Sequence, residues 1–160
     1  MKSIILILSV LFLLSSTASA QDSFIESMNK AKSDLKAGLG DLKYDGSKST
    51  YFQVKKEVTY KEVEVAVFLR ENYHLFFDGS PAPSKVTLRI FDKPADNPDR
   101  IMLFEVKNIS GKQKSVTVDE LKEKYAYYVE DPEMLKNVYV DYEIAKGKPA
   151  RAGVVMALGY

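Results

Sequence analysis

The apolar positions at the start of the chain follow a helical pattern. They recur at three- and four-residue steps, at Phe24, Met28, Ala31, Leu35 and Leu42. Ser23 and Glu26 match a capping box, so we predict an amphipathic helix over 21–43. The stripe favours a helix that covers this chain's own sheet. In the alternative, Phe24, Met28 and Leu35 are partner-binding residues that dock in the groove of another protein.

Further along the chain, apolar residues alternate with polar ones in short runs that Gly, Pro, Asn and Asp separate. The runs lie at 52–54, 63–69, 73–77, 86–90, 102–106, 116–118, 138–144 and 154–160. The alternation changes phase between Tyr60 and Val63, which predicts a β-bulge or tight turn there. Short strands with one polar face predict an antiparallel β-sandwich-like domain over 50–160, in a chain that is mainly β and α+β by content.

One polar stretch interrupts the strands. Thr117 and Glu120 form a second capping-box pattern, and Asp131 precedes Pro132 as a helix cap would. We therefore predict a short helical insertion before the last two strands. In the same stretch Tyr125 and Tyr128 share a helical face, which is typical of core packing. Tyr127 points elsewhere and is a candidate partner-binding residue, since an exposed tyrosine offers both an apolar ring and a hydroxyl.

The first twenty residues have the composition of a secretory signal peptide. Lys2 precedes an apolar run over 4–14, and Ala18 and Ala20 supply the small residues of a cleavage site. The run is too short to span a membrane, so no integral membrane insertion is expected. We predict cleavage after Ala20 and one exported domain over 21–160. The chain has no cysteine, which favours a bacterial, periplasmic or extracellular protein held together by its core alone.

The charge balance excludes one class of partner. Without Lys2, the 23 basic residues become 22 and equal the 22 acidic ones. A neutral chain of mixed signs lacks the basic surface that nucleic acids require, so no nucleic-acid partner is expected.

Catalytic signatures are absent from the sequence. His74 is the only histidine, and no nucleophile motif, phosphate loop or dinucleotide fingerprint accompanies it. A zinc site would need several His, Cys or carboxylate ligands. We expect no enzyme activity, no catalytic residues and no required cofactor.

The polar segment over 92–99 is the candidate metal site. Asp92, Asp96 and Asp99 lie within eight residues, and calcium binds oxygen ligands of this kind. The same residues also favour a rigid hairpin loop that holds no ion, because Asp and Asn side chains bond to their own backbone. That second interpretation is favoured.

The sequence therefore predicts a general class of function and no specific partner. The leading hypothesis is an exported non-enzymatic binding or structural module of the cell envelope, whose partner is a protein or an envelope component. The alternative is a calcium- or ligand-dependent binding domain that uses the loop from Asp92 to Asp99. A secreted enzyme and a small outer-membrane β-barrel are less favoured. The alternation over 154–160 fits the last strand of such a barrel, but the short strands favour a core strand of a sandwich.

Overall fold

A computed structural model describes residues 22–69 and 72–160. The expected signal peptide over 1–20 lies outside the described residues. The elements, in chain order, are α1 (22–37), β1 (Tyr44–Val54), β2 (Thr59–Ala66), β3 (His74–Asp78), β4 (Val86–Phe91), β5 (Met102–Val106), β6 (Gln113–Thr117), α2 (Val118–Tyr125), a 3-10 turn (Pro132–Met134), β7 (Asn137–Ile144) and β8 (Ala150–Gly159).

The strands form two antiparallel four-stranded sheets. The first sheet has the order β1-β8-β3-β6, and the second has the order β2-β7-β4-β5. Each strand from β1 to β4 pairs with a strand from the second half of the chain, which is the topology of a jelly-roll sandwich. The prediction of a mainly β antiparallel sandwich with an amino-terminal helix is confirmed.

The main core lies between the two sheets. Alternate residues of each strand point inward, as the period of two requires. In β7, for example, Val138, Val140, Tyr142 and Ile144 are fully buried. The same alternation in β2 buries Val63 and Val65 while Glu62 and Glu64 face outward.

Helix α1 adds a third layer on the outer face of the first sheet. Its buried residues Met28, Ala31 and Leu35 pack against Val155 and Ala157 of β8. The helix ends at residue 37 and not at 43, and Gly40 follows with a φ of +61°, a conformation that glycine adopts readily. The apolar stripe thus covers this chain's own sheet.

The register of β2 contradicts one prediction. β2 pairs with β7 without interruption from Thr59 opposite Ile144 to Ala66 opposite Asn137, so the expected irregularity between Tyr60 and Val63 is wrong. Tyr60 faces outward with 65% of its surface exposed. Its aromatic ring therefore lies on the outer face of the sheet. It does not indicate which residues of β2 point into the core.

The helical insertion forms as predicted. The side chain of Thr117 accepts a hydrogen bond from the backbone N–H of Glu120, and the Glu120 carboxylate accepts one from the N–H of Thr117. Asp131 accepts from the N–H of Glu133 at the start of the 3-10 turn. Within 22–69 and 72–160, no helix is both long and apolar enough to cross a membrane.

Candidate ligand-binding face

The outer face of the second sheet is the most organised polar surface of the molecule. Glu62 of β2, Asp141 of β7, Arg89 of β4 and Glu105 of β5 stand side by side, because each is the register partner of the next. The neighbouring row consists of Glu64, Tyr139, Phe91 and Met102. We call these two rows, with Glu143 and Arg100, the charged face. Helix α1 covers the first sheet, whereas no described helix lies across this one.

Two arginines connect the carboxylates of the charged face through ion pairs. Arg89 donates to Glu105 at 2.9 Å and to Glu143 at 2.7 Å. Arg100 donates to Asp141 at 2.8 Å, and its guanidinium lies 3.8 Å from the centre of the Phe91 ring. The side chains of these two ion-pair sets are only 13–30% exposed. The face is therefore a fixed arrangement, not a set of freely hydrated charges.

A pair of carboxyl groups lies at the centre of this arrangement. Burial raises the pKa of Glu62 above its ordinary value of 4.5, and the Asp141 carboxylate beside it raises that pKa further. The Ala95 N–H and Arg100 act in the opposite direction. One oxygen of Asp141, Oδ1, is buried and has no hydrogen-bond partner in the part of the chain that the structure describes. A proton held by Glu62 would be shared with the Asp141 carboxyl group.

The loop after β4 holds the predicted calcium ligands, and the structure keeps them apart. Asp92 turns inward, and its Oδ1 accepts the backbone N–H of Ile101 at 2.6 Å. Asp96 and Asp99 are exposed. Among the described residues there is no cluster of three ligating side chains suited to a metal ion. Asp92 is thus used to close the loop, and the calcium site stays a prediction that this geometry does not support.

The predicted partner-binding residues do not lie on the charged face. Met28 and Leu35 are 1% and 3% exposed and contact β8, so the folded chain does not present them to a partner. Phe24 is half-buried, with its ring centre 6.1 Å from that of Tyr51.

The burial of one tyrosine in the helical insertion differs from the prediction. Tyr125 packs against the core, but Tyr128 is exposed, whereas helical spacing placed it with Tyr125. Tyr127 is 82% exposed, and the Lys124 ammonium lies 5.7 Å from its ring centre. Tyr127 remains a candidate contact residue at a separate place on the surface.

His74 has a structural environment. Its ring stacks on Phe76 with centres 6.0 Å apart, on the strand that lies next to β8. No described metal-ligand cluster includes it.

Comparison with known proteins gives distant likenesses of fold. No protein-family model matches the sequence, and no curated protein matches it. A carbohydrate-binding module of endoglucanase Cel5A from Eubacterium cellulosolvens is 8% identical, with a TM-score of 0.37 over 71% of this chain and 94% of that one. The non-catalytic carbohydrate-binding module CBM65B is 12% identical, with a TM-score of 0.36 over 72% and 94%. At these values the likenesses assign no ligand and no residue role to this chain.

Proposed function

We propose that the protein is a non-catalytic binding module of the cell envelope, and that the charged face binds its protein or envelope partner. One observation carries the proposal. Helix α1 covers the outer face of one sheet, while the other outer face is open and carries partly buried, mutually paired arginines and carboxylates.

The physical argument concerns solvation. Removing charges from water costs free energy that ion pairing repays only in part. A surface that served solubility alone would leave its charges fully hydrated. Groups already fixed in position lose less conformational entropy when a ligand binds, which favours binding.

The proposed location rests on the sequence of residues 1–20, which has the pattern of a signal peptide.

Two tyrosines offer a matched test. Tyr139 belongs to the charged face and donates to Glu64 at 3.2 Å, whereas Tyr127 lies on the helical insertion. We expect Tyr139→Ala to weaken binding to immobilised envelope fractions roughly tenfold or more, as loss of an aromatic contact at a binding centre does. Tyr127→Ala should bind as the wild type does. Circular dichroism would confirm that both variants fold. Loss of binding in Tyr127→Ala alone would refute the role of the charged face.

A further inference from the structure

The two lateral sides of the sandwich are built differently. At one side, helix α2 contacts both edge strands, β5 and β6. At the other side, the edge strands β1 and β2 line a common surface, and Phe24 of helix α1 contacts Tyr51 of β1. We call this second side the open side. Its edges carry backbone groups on β1 and β2 that the sheets leave unpaired, because each strand has a single sheet neighbour.

Two cavities follow one another along the open side. A cavity of about 290 Å³ has an apolar floor of Val65, Met156 and Leu158. A larger one of about 610 Å³ lies further along the same two strands, around the turn that joins β1 to β2. Tyr51 and Tyr60 line the larger cavity with 53% and 65% of their surfaces exposed. The open side therefore has an apolar cavity at one end and an aromatic cavity at the other.

The two cavities differ in the charged residues that line them. Lys55 and Lys61 line the larger cavity, and its lining contains no acidic residue. The smaller cavity has Lys48 together with Asp45 and Glu64. Lysines on an edge strand oppose pairing with a second copy of the same strand. An acidic strand would be attracted to them instead.

We propose that the open side binds an extended acidic peptide segment of a partner protein by strand addition to β1. The segment pairs its backbone with the free edge of β1, as in other β-augmentation complexes. Its apolar side chains lie near Met156 and Leu158 at one end of the site, and its carboxylates lie near Lys55 and Lys61 at the other end. This site meets the charged face at Glu64, which belongs to both.

Synthetic peptides test the proposal directly. The probe is a ten-residue peptide that alternates valine with glutamate, compared with the same peptide carrying lysine at the glutamate positions. We expect the acidic peptide to bind the mature chain with an affinity that falls as salt rises, and the lysine peptide to bind at least roughly tenfold more weakly. Amide hydrogen exchange in β1 should slow when the acidic peptide binds.

Charge-reversal variants complete the test. Lys55→Glu with Lys61→Glu should weaken the acidic peptide roughly tenfold or more. The matched control is Lys112→Glu with Lys114→Glu, which changes two exposed lysines near β6, and its affinity should stay within about twofold. Equal binding of both peptides would overturn the proposal, as would binding of an acidic polysaccharide without the peptide. Met102→Ala, on the far edge strand β5 of the charged face, should leave peptide binding unchanged, so that the two binding surfaces are tested independently.

Discussion

Met28 of helix α1 rests on the bare backbone of Gly153 in strand β8. A Cβ atom at position 153 would lie 2.5 Å from Met28 Sδ and 3.0 Å from the carbonyl oxygen of Thr50. Met28 is only 1% exposed at this contact. The missing side chain of Gly153 therefore sets how closely the helix approaches the sheet.

Gly153→Ala should push the helix away from β8. Overpacking of this kind typically costs about 1–3 kcal/mol of the free energy of unfolding, and the carbonyl of Thr50 limits the room for adjustment. Gly46→Ala is the matched control, since nothing lies within 4 Å of a Cβ there. Urea unfolding would compare the two variants, and equal midpoints would show that the helix moves without cost.

Leu35→Ala tests whether α1 is a structural layer. Leu35 is buried against the first sheet, so truncation should cost about 2–5 kcal/mol of the free energy of unfolding. The exposed Lys32→Ala on the same helix should have almost no effect. An unchanged midpoint for Leu35→Ala would mean that the helix detaches readily, and would restore Phe24, Met28 and Leu35 as partner-binding residues.

Glu62→Gln should change how stability depends on pH. The pKa of Glu62 is raised in the folded chain, so the folded state holds the proton more tightly than the unfolded state. The contribution of Glu62 is complete below its ordinary pKa of 4.5 and is lost as pH rises through the folded-state pKa. The free energy of unfolding of the glutamine variant should therefore fall less than that of the wild type as the pH rises from about 4.5 to neutral. Urea unfolding midpoints at about pH 4.5 and at neutral pH measure the difference. The control is Glu57→Gln, which changes an exposed carboxylate. A parallel loss in wild type and Glu62→Gln would argue against the shared proton.

Calcium should not raise the melting temperature. One carboxylate oxygen of Asp92, Oδ1, accepts the N–H of Ile101, so Asp92→Ala should destabilise the chain by about 1–3 kcal/mol with or without the ion. Asp96→Ala removes an exposed side chain and should be nearly neutral. A calcium-dependent rise in melting temperature that Asp96→Ala abolishes would instead establish the calcium site.

Local patterns predicted most of the elements because the physics that forms them is local. The capping box at Thr117 and the stripe of α1 are examples. The alternation of β8 was harder to interpret, since Val154, Val155, Met156 and Ala157 are all buried. The sandwich core covers one face of β8 and α1 covers the other, so the strand has no polar face to display.

The candidate site could not be predicted in the same way. The polar residues Glu62 and Glu64 alternate in β2, which predicts an outward face but not its neighbours. Asp141 becomes the neighbour of Glu62 only because β2 pairs with β7. Arg100 reaches Asp141 from the loop after β4. Such contacts depend on long-range topology, for which a single sequence carries no local signal.

The position of β8 has a consequence for the order of folding. It lies between β1 and β3 and beneath α1, so until residues 150–159 are available β1 has no sheet neighbour, β3 has only β6, and α1 has no strand β8 to pack on. A nascent chain that stops at residue 149 leaves α1, β1 and one edge of β3 without their partner strand. We expect such a chain to be sensitive to proteases and dependent on chaperones, and the first sheet to form in a late, cooperative step.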